Sequence, residues 1–310
     1  GCDTSTQLSA SFLDIGETNT YEITEIPFIP PFAFQGLENS INTEIDDVWG
    51  ELQSLDFDNG FCFFLNNEDT FTVGSNGLLS FKNVSGFNDY AFTAPLPEAF
   101  DPALAEGNIF SPVHDIWPND TGAMDIAWEI IGESPNKALV VSFFNVPMYD
   151  NDITSCENLF ATHMIVLYET TNIIDIYIEN APECDFNSYS KAVGIQNNAG
   201  TEAFVPPGRN TGDGDPTTHW STEEEAWRFK PDGETITLFE WFAGDTDSVN
   251  DGTAEFISNE PTIDVFPEST TTYTAKVTYS TCSGFREFIF DEVTVTVDED
   301  PPYVVELGPD

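Results

Sequence analysis

Basic residues are scarce in this chain. Eight Lys and Arg stand against 55 Asp and Glu, which gives a formal net charge of −47 over 310 residues. Nucleic acid is therefore excluded as an expected partner, because binding it requires Lys and Arg to meet the phosphates. Membrane insertion is excluded as well, since the sequence contains no run of 18 or more apolar residues. Self-repulsion at this charge makes stability depend on cations that screen it.

Histidine is also scarce, and the usual catalytic motifs are missing. The three histidines are His114, His163 and His219, and no H-E-x-x-H motif or other metal-ligand spacing is present. The chain has no G-x-S-x-G elbow and no glycine loop that opens a helix to hold phosphate. With 55 acids, a glycosidase carboxylate pair is neither supported nor excluded. We expect no enzymatic activity, and we expect His163 to be a satisfied core residue.

Aromatic and aliphatic residues are plentiful, which separates this chain from disordered acidic segments. Apolar residues make up 40% of the chain and aromatics 14%, enough for a sizeable core. They alternate or form runs of four to eight, bounded by Gly, Pro, Asn and Asp, which is typical of β-strands. The expected strands are 20–26, 61–64, 70–73, 78–81, 123–131, 138–145, 159–169, 173–179, 192–196, 226–230, 235–241, 271–278 and 292–297. A turn at 74–77 and one short helix within 98–106 are also expected.

A change in the residue pattern predicts two consecutive β-sandwich domains. The sequence KPDG at 230–233 is a break, after which Thr and Val alternate more simply. An early Trp241 and a late Tyr-bearing strand are typical of an immunoglobulin-like sandwich. We therefore expect domains at 1–233 and 234–298, both all-β, with a linker into a further repeat at 299–310.

Two of the five cysteines are placed to form a disulfide. Cys156 and Cys184 flank two β-rich runs joined by a turn at 169–172. Residues opposed across that hairpin should have numbers summing to 340 or 341, and the two cysteine numbers sum to 340. The alternative is two free thiols, whereas a bridge indicates an oxidising compartment. We expect Cys62 to be a buried thiol, while Cys2 and Cys282 have no assigned partner.

A set of short motifs in a fixed order resembles a known class of proteins. They are INTEIDDV at 41–48, FCFF at 61–64, VGSNGLLSF at 73–81, HDI at 114–116, VVSFFNVP at 140–147 and IVLYETTN at 165–172, followed by GIQN at 194–197, PPGRNT at 206–211 and AWRF at 226–229. This order resembles large surface proteins of Bacteroidetes-type bacteria that use type IX secretion, including gliding-motility adhesins. Residues 109–128 also resemble a nidogen-type extracellular domain. The last third resembles Ig- or PKD-like repeats, although residues 234–281 lack the early cysteine that would pair with Cys282.

Clusters of acids suggest calcium, because hard oxygen ligands are what this ion takes. The loop at 245–252 has acids at alternate positions and a final glycine, and its candidate ligands are Asp245, Asp247 and Asp251. It departs from the EF-hand pattern by one residue and lacks the distal Glu, so an ion-free acidic loop is the alternative. Asp115 and Asp120 form a second candidate at the turn after an apolar run.

Two tryptophans in polar, loop-like surroundings, Trp117 and Trp220, are the expected ligand surface. Together these patterns favour a segment of a giant extracellular, cell-surface adhesin, non-catalytic and stiffened by cations, whose partners are neighbouring repeats and a surface or glycan. The alternative is a secreted carbohydrate-binding module of a larger polysaccharide-acting protein. An acidic halophile protein would also account for the charge.

Overall fold

The computed structural model describes residues 5–41, 46–58, 60–88, 90, 92, 95–118, 124–149, 156–183, 190–211 and 219–297. The fold is all-β, with about 50% strand and 3% helix, which confirms the expected class and the β-sandwich architecture. Neither of the helices within the described residues is long or apolar enough to cross a membrane. The expected linker at 299–310, together with Cys2, Asp120 and Cys184, lies outside the described residues.

The first half of the chain contains ten short strands and one helical turn. They are β1 (Thr6–Ser9), β2 (Tyr21–Glu25), β3 (Asn39–Ser40), β4 (Val48–Trp49), β5 (Gln53–Ser54), β6 (Phe61–Phe63), β7 (Asn66–Glu68), β8 (Thr70–Gly74), β9 (Leu78–Ser80), β10 (Gly86–Phe87) and α1 (Pro102–Ala105). The helix begins where the sequence predicts, because the Asp101 side chain accepts from the backbone N–H of Ala103 and Pro102 occupies the first turn.

The remaining strands are longer. They are β11 (Ile109–Val113), β12 (Asp125–Ile131), β13 (Ala138–Pro147), β14 (Phe160–Tyr168), β15 (Ile174–Ala181), β16 (Lys191–Gln196), β17 (Ala203–Phe204), β18 (Asn210–Thr211), β19 (Thr222–Pro231), β20 (Thr237–Ala243), α2 (Thr246–Asn250), β21 (Glu255–Ser258), β22 (Thr262–Val265), β23 (Thr271–Ser280) and β24 (Arg286–Val295). Two expected strands begin well before their predicted starts: β19 begins four residues before the predicted 226, and β24 begins six residues before the predicted 292.

The chain forms two compact units. The larger unit comprises Ile15–Thr235 and Thr281–Phe285, and the smaller unit comprises Gly1–Asp14, Ile236–Ser280 and Arg286–Asp310. The N-terminal strand β1 therefore belongs to the smaller unit, and the larger unit is inserted in the chain between β1 and β20. Compactness alone does not establish which segments fold independently, so the domain limits 1–233 and 234–298 stay a prediction.

Two antiparallel sheets make up most of the larger unit. The seven-stranded sheet has the order β2-β19-β15-β14-β13-β12-β3, and the nine-stranded sheet follows β10-β4-β8-β9-β11-β16-β17, with β18 beside β16 and β5 beside β8. One apolar cluster joins residues of both, including Phe71, Leu79 and Ile109 from one sheet and Val141 and Ile165 from the other. The two inner faces therefore form the core of a sandwich.

The outer faces are also covered, which explains why β13 and β14 are apolar along their whole length. Val140, Met164 and Val166 are fully buried on the outer face of the seven-stranded sheet, where partly buried Phe28 and Phe34 pack against them. Strands buried on both faces lose the alternation of polar and apolar residues.

The hairpin of β14 and β15 has the register that the sequence predicts. Leu167 lies opposite Ile174, and Ile165 lies opposite Ile176, so the residue numbers sum to 341. The register shifts between His163 and Thr162, so Thr162 lies opposite Asn180. Cys156 takes part in a disulfide, as expected, but because Cys184 is outside the described residues its pairing with Cys156 stays a prediction.

The expectation that Cys62 is a free buried thiol is wrong. Cys62 is buried, as its apolar neighbours predict, but it forms a disulfide with Cys282, with 5.8 Å between the two Cα atoms. Cys282 lies in the short segment 281–285 that groups with the larger unit, and its backbone N–H points at the Cys62 sulfur. The apolar pattern of FCFF predicts that Cys62 is buried, and a buried cysteine can be either a thiol or one half of a disulfide. The partner is 220 residues away in sequence and carries no local signal.

The smaller unit contains a four-stranded sheet of order β21-β20-β23-β24 and a two-stranded sheet of β1 and β22. Trp241 is buried in this unit, which confirms the expectation that it is a core residue. Phe12 stacks on Phe239 with 4.8 Å between ring centroids, and the Tyr279 hydroxyl donates to the carbonyl of Leu13. The segment after β1 thus packs on the same sheet face as the core tryptophan.

The predicted turn at 74–77 depends on one glycine. Gly77 has a φ of +85°, and a Cβ placed there would lie 2.0 Å from the carbonyl oxygen of Pro112. Gly86 has the same φ, but a Cβ there would meet nothing within 4 Å. The two glycines therefore share a backbone conformation and differ only in the space beside it.

We expect Gly77→Ala to lower the free energy of unfolding by about 3–4 kcal/mol, because it adds a backbone clash to the strain of a left-handed residue. Gly86→Ala, the matched control, should cost only about 1–2 kcal/mol, from strain alone. Urea unfolding of both variants measures the difference. Equal losses would show that the close approach to Pro112 does not constrain the turn.

Candidate functional site

Two residues selected from the sequence, Asp115 and Trp117, lie close together in the larger unit, where Asp115 is buried and Trp117 is partly exposed. They follow β11, and the adjacent residue Tyr149 follows β13. The Tyr149 N–H donates to the Asp115 carbonyl at 3.3 Å, and the Trp117 N–H donates to the Pro147 carbonyl at 2.8 Å. The rings of Trp117 and Tyr149 are tilted against each other with centroids 5.7 Å apart. Backbone pairing after the two strands thus brings an indole, a phenol and a carboxylate together.

Two further acids, Asp46 and Asp47, complete this aromatic–carboxylate surface, defined as Asp46, Asp47, Asp115, Trp117 and Tyr149. They precede β4 and were not selected from the sequence. The only signal would have been two successive acids placed directly before a buried strand. Asp47 adopts a φ of 53°, and the Asp46 carboxylate accepts from the Asp47 N–H at 3.0 Å.

Buried Asn76, in the turn between β8 and β9, holds both acidic segments. Its Nδ2 donates to Asp47 Oδ1 at 2.8 Å, and its Oδ1 accepts from the Ile116 N–H at 3.3 Å. Its carbonyl accepts from the His114 N–H at 3.2 Å. The buried side chain of Asn76 therefore links the segment that contains Asp47 to the segment that contains Asp115. These hydrogen bonds fix the surface to the core of the sandwich.

The acids on this surface perturb one another. The pKa of Asp46 is raised to about 7, first by burial and then by the charge of Asp47, while a hydrogen bond from the Asp47 N–H works against the shift. The pKa of Tyr149 is also raised, first by desolvation and then by Asp115, Asp46, Tyr90 and Asp47, in that order. Three carboxylates therefore act on one phenol.

The candidate calcium ligands do not form one group. Asp245, Asp247 and Asp251 lie in the smaller unit, where the expected loop is the short helix α2. Asp245 is its N-cap and accepts from the Ser248 N–H at 2.9 Å, and hydrogen bonds from Ser248 lower the pKa of Asp245. Across the described residues, no three or more His, Cys, Asp or Glu side chains are close enough to hold a metal ion. Calcium binding by these residues, or by Asp115 with Asp120, stays a prediction.

The two tryptophans differ in exposure. Trp117 has 37% of its surface exposed, as expected for a ligand surface, whereas Trp220 has 8% exposed, so the expected exposure of Trp220 is wrong. The Trp220 ring lies between two cations, with Lys191 Nζ 4.9 Å and Arg209 Cζ 4.7 Å from its centroid. Polar neighbours in the sequence suggested a loop, but cation–π contacts hold this indole inside.

The buried cations around Trp220 have specific partners. Lys191 Nζ donates to the carbonyls of Ala181, Pro182 and Trp220, and burial lowers the pKa of Lys191 to about 7. Arg209 forms a two-pronged ion pair with Glu225, which raises the pKa of Arg209. Lys191 and Arg209 therefore contact Trp220 and other groups of the larger unit.

Two histidines lie inside the sandwich. His114 and His163 have ring centroids 5.6 Å apart, and burial, followed by the charge of Lys191, lowers the pKa of both. His163 is a core residue, as expected, and its Nδ1 lies 3.2 Å from the Ser111 hydroxyl. The expectation that it is fully satisfied is wrong, because its buried Nε2 has no hydrogen-bond partner among the described residues. Both rings are therefore neutral near pH 7 and are enclosed.

We expect Asp46→Asn to change how stability depends on pH. The folded protein holds the Asp46 proton more tightly than the unfolded chain, whose carboxyl has its ordinary value of 3.8, so wild-type stability falls as pH rises from about 4 to about 7. The variant lacks this loss. At pH 8 it should be more stable than wild type by about 1–2 kcal/mol, allowing for partial exposure of the group, and at pH 4 the two should be similar.

Chemical unfolding at both pH values measures this difference. Glu255→Gln, which removes an exposed acid from the smaller unit, controls for the general effect of one charge fewer. If the unfolding free energies of Asp46→Asn and Glu255→Gln change in parallel with pH, folding does not raise the pKa of Asp46.

Comparison with known proteins places the larger unit in a family. A sequence model described as NIDO_rel, NIDO related, matches residues 23–240, which is more than two thirds of the chain. No curated protein and no solved structure matches the chain. The nidogen-like domain and the disulfide indicate an extracellular protein. The match spans both large sheets and the aromatic–carboxylate surface, and the chain belongs to the NIDO-related family.

Proposed function

We propose that this chain is a non-catalytic, load-bearing segment of a large cell-surface adhesin of the type exported by type IX secretion. Its partners would be neighbouring repeats of the same protein and a surface or glycan, and its role adhesion or gliding motility. Membership of the NIDO-related family supports an extracellular role. The order of motifs in the sequence supports the secretion class. The enclosed, neutral histidines support a non-catalytic role, because neither ring reaches solvent.

The Cys62–Cys282 disulfide is the observation that carries this proposal. It closes a loop of 220 residues. When the chain is pulled from its two ends, force passes through the covalent bond and bypasses everything between Cys62 and Cys282. The closed loop contains most of both large sheets and β20 to β23. The bond therefore prevents these strands from being extended by force, which is a useful property in a protein that transmits load.

The surface acids support the cation-stiffened part of the proposal. The chain has 55 acids and eight Lys and Arg, so most carboxylates have no basic side chain to pair with. Divalent cations would reduce the resulting repulsion most at the aromatic–carboxylate surface, where Asp46, Asp47 and Asp115 act on one phenol.

We expect pulling experiments to show the effect of the disulfide directly. In single-molecule force spectroscopy with handles at both termini, Cys282→Ser should lengthen the fully extended chain by about 60–80 nm, because up to 220 residues at about 3.3–3.6 Å each become extensible. Ser283→Ala, in the same segment, leaves the bond intact and should give the wild-type length. Equal lengths for wild type and Cys282→Ser would contradict the load-bearing proposal.

We also expect calcium to stabilise the protein specifically. At about ten times the dissociation constant, one bound ion should raise the melting temperature by about 2–4 °C over a chelator control. Sodium chloride of equal ionic strength should give a smaller shift, and Asp115→Asn should reduce the calcium shift. A melting temperature that responds only to ionic strength, or only to molar salt, would contradict the calcium proposal and favour a halophile protein.

A secreted carbohydrate-binding module is the second candidate function. Trp117 favours it, because a partly exposed indole beside Tyr149 and carboxylates is a surface on which a sugar ring could stack and form hydrogen bonds. Glycan-array binding that Trp117→Ala abolishes would favour this function over a passive load-bearing segment. Trp227→Phe, which alters a partly buried tryptophan packed against the core, is the control for general loss of packing.

A further inference from the structure

A groove in the smaller unit lies outside the aromatic–carboxylate surface and is not explained by the proposed function. It has a volume of about 580 Å³ and runs between the segment 7–12 and the strand segment 289–293. Its floor includes Trp241, Ala275 and Val277, the buried face of the four-stranded sheet. One wall of the groove is therefore strand β1, and the opposite wall is strand β24.

The backbone of β1 presents an unpaired edge to this groove. β1 pairs with β22, and the Ala10 N–H donates to the Pro261 carbonyl, so residues 6, 8 and 10 hydrogen-bond toward β22. In an antiparallel pair the residues between these point their N–H and C=O groups away from the partner strand. Gln7 and Ser9 are those residues, and the contact of the Ser9 and Thr262 hydroxyls at 3.1 Å is typical of such a non-hydrogen-bonded pair. Among the described strands, none pairs with this second edge.

The opposite wall combines exposed apolar side chains with one acid. Ile289, Asp291 and Val293 lie opposite Val277, Ala275 and Tyr273, so all share the apolar face of the sheet. Ile289 is 44% exposed and Val293 39% exposed, although their cross-strand partners are buried. The two-stranded sheet of β1 and β22 thus covers only part of this face. The row of Ile289, Asp291 and Val293 is therefore left uncovered beside the unpaired edge of β1.

Charge decides which kind of occupant fits. A second copy of this chain would bring another −47 charges to a wall that carries Asp291 and Glu292. A strand that has an apolar residue, a Lys or Arg and a second apolar residue at alternate positions presents all three side chains on one face, so it would cover Ile289 and Val293 and place a cation against Asp291.

We propose that this groove is a strand-addition site for a separate polypeptide. The incoming segment is extended and carries an apolar residue, a Lys or Arg and a second apolar residue at alternate positions, so that all three share one face. It pairs with the outward N–H and C=O groups of Gln7 and Ser9 and packs on Ile289 and Val293. Main-chain hydrogen bonds provide the affinity, and the alternating side chains provide the specificity. The site adds a basic, strand-forming protein segment to the partners of this chain.

A synthetic peptide with the sequence TVTKTVT, capped at both ends, tests the proposal on the full chain by calorimetry at physiological ionic strength. Its Val, Lys and Val side chains share one face of the strand. Its acidic counterpart TVTETVT and its proline counterpart TVPKPVT, which cannot pair as a strand, are the peptide controls. The proposal predicts that TVTKTVT binds and that both controls bind at least about tenfold more weakly. Failure of TVTKTVT to bind, or equal binding by TVPKPVT, would overturn it.

Matched protein variants separate strand addition from general attraction to an acidic protein. Ser9→Pro removes the N–H that faces the groove together with the hydroxyl that contacts Thr262, whereas Ser9→Ala removes only the hydroxyl. Ser9→Pro should therefore weaken TVTKTVT about tenfold, and Ser9→Ala should bind it like wild type. Circular dichroism verifies folding of both. Asp291→Lys, at an exposed position, gives an independent test and should reverse the preference toward TVTETVT. Unchanged binding in folded Ser9→Pro, or an unchanged preference in Asp291→Lys, would overturn the proposal.

Discussion

The covalent bond between Cys62 and Cys282 is the constraint on which this structure depends most. Strand β6, which contains Cys62, contributes Phe61 and Phe63 to the core between the two large sheets. Cys282 comes from a five-residue segment that leaves the smaller unit and joins the larger one. The chain carries 47 excess negative charges, so the strength of its ion pairs depends on salt. A disulfide stabilises the fold independently of ionic strength.

Most of the few basic residues pair with specific groups of the fold. Six of the eight have described partners: Lys82 with the Ala105 carbonyl, Lys137 with Asp58, Lys191 with three carbonyls, Arg209 with Glu225, Arg228 with Asp175, and Lys276 with Glu240. Asp175 is fully buried, so its bidentate pair with Arg228 offsets a large desolvation cost. At least one acid, Glu169, is also buried, and it accepts hydrogen bonds from the Asp58 and Lys137 N–H groups and the Ser134 hydroxyl.

Local patterns in the sequence predict the strands, the turn at 74–77 and the register of the β14–β15 hairpin, because each depends on neighbouring residues. The same patterns do not reveal the Cys62–Cys282 pair, since burial of FCFF says nothing about a partner 220 residues away. Trp220 illustrates a related limit, because its polar sequence neighbours hide two cations that reach it from other strands. Asp115 and Trp117 could be selected, but Asp46 and Asp47 join them only through Asn76, a tertiary contact.

Non-reducing proteolysis followed by mass spectrometry of the linked peptides tests the central claim most directly. The account predicts a cross-linked peptide pair that contains Cys62 and Cys282 and that separates on reduction. Alkylation of Cys62 in the unreduced protein, or its recovery in a linkage with a different cysteine, would contradict the account.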